Sequence, residues 1–146
     1  MKQSAEITHD REQGPDAGEC PFHFACFACG PDSLKGLRLK FDQRGDCTNC
    51  TTTIDSAYQS YQGIAHGGII TTLLDAAMVR CLYNVFRQQP FTCRLDIRFW
   101  HSIPTNVPVD IKARVVSKRG NRCTVEAEIF RRCQLHARAH GVFMLR

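Results

Sequence analysis

The chain has 146 residues, of which 43% are hydrophobic and 23% charged, and a formal net charge of +5. That length supports one domain with a proper core rather than two, the composition is that of a globular chain rather than a disordered one, and no apolar run is expected to reach the length of a membrane span. The positive charge is scattered and is densest at Lys118, Arg119 and Arg122, a modest field that suits a small polyanion such as a nucleotide phosphate better than a nucleic-acid backbone.

Residues 1–19, MKQSAEITHDREQGPDAGE, are polar and of mixed charge. They lack the apolar core of a signal peptide and the amphipathic character of a transit sequence, so they are expected to form a flexible arm ahead of one domain over residues 20–146. The nine cysteines are an odd number with no secretion signal before them, which predicts a cytoplasmic, reducing setting and buried free thiols. Cys26 and Cys29 form one C-x-x-C and Cys47 and Cys50 another, a spacing that fits a four-cysteine zinc ribbon. The second pair, however, lies in CTNCTTTI, a strand-like run in which residues three apart face opposite ways. Free thiols are therefore the expectation, with zinc the rival, and no metal or cofactor is assigned.

GLRLKFDQ alternates apolar and polar residues and predicts a strand over residues 37–42, turned by Arg44 and Gly45, followed by a strand over 47–54. The loop YQSYQGIAHGG leads into a long helical pattern over 67–86, stopped by Gln88, Gln89 and Pro90. Ile70, Leu73, Leu74, Ala77, Met78, Cys81 and Val85 form its apolar stripe, leaving Thr72, Arg80, Tyr83 and Asn84 as a narrow solvent sector. Period-two segments then predict strands over 92–100, 107–116, 122–130 and 136–145, joined by short links as an antiparallel meander. The fold class is α+β: an antiparallel sheet with one helix to cover.

Two features of this helix work against its stability. Gly67 and Gly68 stand in its first turn, where each costs about 1 kcal/mol relative to alanine. They serve either close packing of helix on sheet, or an oxyanion site of open backbone N–H groups at the positive end of the helix dipole. His66 is a cap or a shaper of that site. Asp75 has Thr71, Val79, Leu82 and Phe86 as helical neighbours; it is either wetted at the margin of the helix or desolvated and prepared as a base or nucleophile.

His66, Gly67, Gly68 and the acid nine positions after the histidine resemble the hot-dog fold acyl-CoA thioesterases of the PaaI-like branch. CFACGPDSLKGLRLKF and YQSYQGIAHGG are similar to segments of that family, and the likeness runs from Cys26 to Leu145. The resemblance implies a central helix wrapped by a six-stranded antiparallel sheet, and a homodimer or homotetramer with each active site at a subunit interface. It also implies that Gly67 polarises the thioester carbonyl, that Asp75 attacks it or activates water, that His66 assists, and that Thr92 holds the water, with Cys93 one step out of register. Gln59, Ser60 and Gly68 would touch the substrate. Ser60 and Ala76 depart from the residues common in relatives, which bears on substrate choice. Lys118, Arg119 and Arg122 would bind the coenzyme A nucleotide, or else form a solvated hairpin turn. In relatives the N-terminal segment recurs without a metal. The expected activity is hydrolysis of acyl-CoA to free acid and coenzyme A; a non-catalytic acyl-CoA sensor and an acyl-thioester hydratase or dehydratase are the alternatives. No nucleic-acid or membrane partner is expected.

Overall fold

In the computed structural model, which describes residues 20–146, the apolar helix α1 (Gly67–Phe86) is held against an antiparallel sheet. The arm expected over residues 1–19 lies outside the described residues. The strands are β1 (Asp42–Arg44), β2 (Cys47–Thr53), β3 (Pro90–Phe99), β4 (Pro108–Arg119), β5 (Arg122–Arg131) and β6 (Gln134–Leu145), in the order β1-β2-β4-β5-β6-β3. The helix bounds agree with the sequence pattern. Its end is set by Arg87, which takes a left-handed conformation at φ 54° and donates its N–H to the Tyr83 carbonyl, ahead of the Gln88, Gln89 and Pro90 stop.

The core is the contact between α1 and the inward face of the sheet. Leu73, Leu74, Met78, Cys81 and Leu82 are fully buried against Val109, Ile111, Val125, Ile129 and Phe143, and each large side chain contributes about 1.5–3 kcal/mol by leaving water. With 20 residues and an 18-residue window of mean hydropathy 1.4, the helix is long and apolar enough by composition to cross a membrane, contrary to the sequence expectation. Its buried residues meet the sheet instead, as a core helix does.

The solvent sector is also covered. Tyr83 is buried, and Thr72, Arg80 and Asn84 are half-buried. Arg80 stacks over Phe41 at 5.6 Å, and the Asn84 amide donates to Gln43 Oε1 at 3.0 Å, an oxygen that also accepts from the buried Thr48 hydroxyl. The cover is β1 and the segment before it. Residues 37–41 do not join the sheet as expected, because their backbone donors are used elsewhere: Leu37 N–H bonds to the Phe27 carbonyl at 2.7 Å and Leu39 N–H to the Ala28 carbonyl at 2.9 Å. The strand therefore begins only at Asp42.

The meander holds for β4, β5 and β6 but not for β3, which lies at the far edge and pairs with β6. The link between β3 and β4 is pinned to the loop ahead of the helix, with Ala65 N–H on the Ile103 carbonyl at 2.8 Å and Thr105 N–H on the Gly63 carbonyl at 3.0 Å. A chain held there cannot turn back as a hairpin, so β4 starts a separate run of strands.

Helix and sheet leave no room for a side chain at Gly141 of β6, where an added Cβ would lie 2.4 Å from Phe143 Cε2 and 2.9 Å from Met78 Sδ. Gly141→Ala should therefore destabilise the fold by about 1–3 kcal/mol, the cost of overpacking a filled core, read as a lowered midpoint in thermal unfolding. A midpoint equal to wild type would mean that Phe143 and Met78 move aside freely.

Candidate active site

The two first-turn glycines have different reasons to be there. His66 is the N-cap of α1, and its Nδ1 accepts the Gly68 N–H at 2.9 Å, which places the ring proton on Nε2. A Cβ on Gly68 would press on that ring at 3.1 Å, so Gly68 makes room for the cap. Ile69 and Ile70 donate to the His66 carbonyl. The Gly67 N–H makes no hydrogen bond among the described residues, and an added Cβ there would meet nothing within 4 Å. Of the two N–H groups expected to be open, only that of Gly67 is free at the positive end of the dipole.

The loop feeding this cap is held by its own side chains. Gln59 Oε1 accepts from the Gly63 N–H at 3.0 Å, and the Ser60 N–H bonds to the Ile64 carbonyl at 2.8 Å. Gly63 sits at φ +74°, a conformation that glycine adopts without strain. The Tyr58 hydroxyl donates to the Lys35 carbonyl at 2.9 Å, tying the loop to the covering segment.

Asp75 lies two turns further along the helix, half-buried in the wall of a cavity of about 270 Å³. Thr92 donates its hydroxyl to Asp75 Oδ1 at 2.9 Å. Burial pushes the Asp75 carboxyl above its ordinary value, opposed by the Thr92 hydrogen bond and by the charge of His23. Of the two alternatives for Asp75, the structure favours the desolvated one. A β-bulge determines which strand residue reaches it: the register of β3 against β6 shifts between Thr92 and Arg94, leaving Cys93 as the extra residue, exposed. The bulge puts Thr92 on the same side as Leu95 and Ile97, which strict alternation would not.

The cavity is otherwise largely apolar, with Phe27, Ala28, Val79 and Leu95 in its wall beside His23, Cys26 and Cys29. Burial, and next the nearby Arg80 charge, lower the His23 pKa, so this ring is held toward its neutral form. Burial also pushes the Cys29 thiol up to about 11, which leaves it unreactive at neutral pH. The sequence reading missed His23; the signal that could have found it is its place in H-x-x-C-x-x-C. The second cysteine pair stays apart, Cys47 exposed and Cys50 buried on β2, so the four cysteines do not converge on one ion.

One chain brings Asp75 and Thr92 together but keeps them from the helix start, since the eight residues from Gly67 to Asp75 span about 12 Å along the axis. Gly67 borders a different hollow, with Phe99, Trp100 and His101. Lys118, Arg119 and Arg122 stand at the exposed β4–β5 hairpin, whose turn has Gly120 at φ +57°, and Lys118 Nζ lies 5.2 Å from the Phe86 ring.

Comparison with known proteins accords with this geometry. The model of the thioesterase superfamily matches residues 62–134, half of the chain. The fold is that of hot-dog thioesterases. A thioesterase superfamily protein of known structure superposes with a TM-score of 0.76 at 20% identity, covering 82% of this chain and 60% of its own. A hypothetical thioesterase protein from Streptococcus pneumoniae TIGR4, solved with coenzyme A, gives 0.69 at 18% identity, covering 74% of this chain and 85% of its own. MIOREX complex component 3 of Saccharomyces cerevisiae is 29% identical over 68 residues, 46% of this chain but only 25% of that protein, so the chain spans about a quarter of the length of this curated relative and 60% of that of the thioesterase superfamily protein.

The raised Asp75 pKa has a consequence for stability. The unfolded chain gives up this proton near the ordinary value of 3.8 and the folded chain only at higher pH, so stability falls as pH rises through that window and the full penalty is present above it. Asp75→Asn removes the penalty. Its unfolding midpoint should exceed that of wild type at neutral pH and converge with it in acid; a variant less stable at neutral pH would mean the ionised carboxylate is a net stabiliser.

Proposed function

The chain belongs to the thioesterase superfamily, and we propose that it hydrolyses an acyl-CoA thioester to a free acid and coenzyme A, as a PaaI-like member of that superfamily acting in the cytoplasm. The observation that carries this reading is the half-buried Asp75 with a raised pKa, held by the Thr92 hydroxyl at the wall of a largely apolar cavity. Such a carboxylate is poorly solvated when ionised, which makes it a better base and nucleophile than one in water.

The catalytic step needs an acid and an oxyanion donor on opposite sides of one carbonyl. The free N–H of Gly67 and the open space around its Cα suit the donor, with His66 fixing the cap beside it. Because these groups lie about 12 Å from Asp75 in the same chain, we assign the complete site to a homodimer, in which Gly67 of one protomer faces Asp75 of the partner subunit. The long edge strand β3, bonded among the described residues only on its β6 side, supports such pairing because its outer N–H and C=O groups offer a template to another strand.

In this arrangement the thioester oxygen accepts from Gly67, and Asp75 attacks the carbonyl carbon or deprotonates the water that does. Thr92 holds the carboxylate or that water. The carbon–sulfur bond breaks, the thiolate takes a proton to leave as coenzyme A, and water supplies the hydroxyl of the acid. The acyl group enters the cavity between Phe27, Val79 and Leu95. Lys118, Arg119 and Arg122 bind the nucleotide phosphates, and Gln59, Ser60 and Gly68 shape the entry. The coenzyme A in the pneumococcal structure of the same fold is consistent with that substrate.

Thiol release across short, long and aryl acyl-CoA esters tests the proposal. Asp75→Asn is expected to lose roughly a hundredfold or more of kcat/KM, and wild-type kcat/KM should rise with pH through the raised Asp75 pKa. Tight acyl-CoA binding with no thiol released would favour a sensor, and a hydrated product a hydratase.

Gly67→Pro keeps a residue favoured at a helix start but removes the N–H, so it is expected to lose activity by about the same factor. Mixing the two inactive variants should restore up to about a quarter of wild-type activity, because half of the randomly formed dimers carry one intact site. If both variants are inactive and the mixture is too, the site does not span two subunits.

A further inference from the structure

The loop over residues 20–41 does more than cover the helix. We propose that His23, Cys26 and Cys29 form a binding site for a soft divalent ion of the zinc class, with its fourth coordination position open to the cavity that holds Asp75. The ligating atoms of the three residues lie within 4.8 Å of one another, and His23 Nδ1 is 3.4 Å from Cys29 Sγ. Around a tetrahedral ion with ordinary zinc–sulfur and zinc–nitrogen bonds, ligand atoms stand roughly 3.5–3.8 Å apart. The three groups thus need only a small contraction to share an ion.

The backbone is shaped for this without an ion. The Cys26 N–H bonds to the His23 carbonyl at 3.1 Å, and the Gly30 N–H to the Cys26 carbonyl at 2.7 Å, closing a turn around the C-x-x-C. A Cβ on Gly30 would lie 2.4 Å from the Phe24 carbonyl oxygen, 2.5 Å from the Cys26 nitrogen and 2.6 Å from the His23 carbonyl oxygen. The turn is wound so tightly that only glycine fits after the second cysteine, giving a C-x-x-C-G knuckle. Bonds from Leu37 and Leu39 to Phe27 and Ala28 brace its far side.

Arg80 supplies an outer layer, its Nη2 lying 3.8 Å from Cys29 Sγ. A guanidinium there serves a sulfur that has lost its proton, and metal binding removes the protons of both thiols. A plain Cys26–Cys29 disulfide would leave the contacts of His23 Nδ1 and Arg80 Nη2 with Cys29 Sγ without a role. The site departs from the free-thiol expectation for Cys26 and Cys29, and from the four-cysteine ribbon, since His23 takes the place of the distant second pair.

Cobalt titration of the reduced full chain tests the proposal without acyl-CoA turnover, so it fails or stands separately from the hydrolase reading. The expected result is uptake of about one Co²⁺ per chain with the thiolate charge-transfer band and intense visible bands of a tetrahedral site, displaced by zinc. His23→Ala and Cys26→Ser should each weaken binding by roughly tenfold or more, while Cys47→Ser should leave it unchanged. A reduced wild-type chain with native circular dichroism and no thiolate–cobalt band would overturn the site, whether or not the variants fold. Uptake unaffected by His23→Ala or Cys26→Ser in folded protein would do so as well, as would a Cys26–Cys29 pair that forms a disulfide and takes no ion once reduced.

Discussion

The constraint on which the rest of the structure depends is the need to cover a helix that is apolar on nearly every side. The sheet takes the stripe from Ile70 to Cys81, but a sheet has only one inward face to offer. Arg80 and Asn84 are left on the opposite side, and the segment from Cys20 to Gln43 closes over them, stacking Phe41 on Arg80 and placing Gln43 against Asn84. Asp75 lies at the seam between the two covers. It is reached by β3 from one side and by the His23–Cys29 loop from the other, and its desolvation follows from their meeting there.

The glycines divide in the same way between packing and access. Gly30, Gly68 and Gly141 are places where a methyl group would strike something, respectively a carbonyl, an imidazole and a phenyl ring. Gly67 is different, since among the described residues nothing beyond its own helix turn would meet a methyl group there within 4 Å. Retaining a helix-weakening residue where no neighbour demands it points to an approach from outside the chain, by a ligand or by a second copy.

Much of this was legible in the sequence, and the rest was lost for identifiable reasons. The bounds of α1 follow from an apolar pattern with period near 3.6, and the later strands from period two, because each buries one regular face. The segment over residues 37–41 shows the same alternation, yet it pairs with a loop, and alternation records burial rather than hydrogen-bond partners. Tyr83 was misplaced because the helical pattern gives no sign of the burial that the folded chain imposes on it. The site of β3 was hidden because the link after it is pinned to the loop at Gly63 and Ala65, a tertiary contact no local pattern reports. Asp75 stood out as a polar residue in an apolar helix, whereas His23 sat among aromatic residues in a loop and broke no pattern.

The bulge at Cys93 has a consequence for how such a site changes between related chains. Because side-chain direction alternates along a strand, the hydroxyl that meets Asp75 is selected by the bulge between it and Leu95, not only by the type of residue at position 92. Straightening the bulge with Cys93 kept would turn Thr92 outward and bring Cys93 to the inner face, while leaving Leu95, Ile97 and the rest of β3 in register. Gain or loss of a bulge, with no change of residue at position 92, would then act inside a strand as the means by which the neighbour of the acid is exchanged.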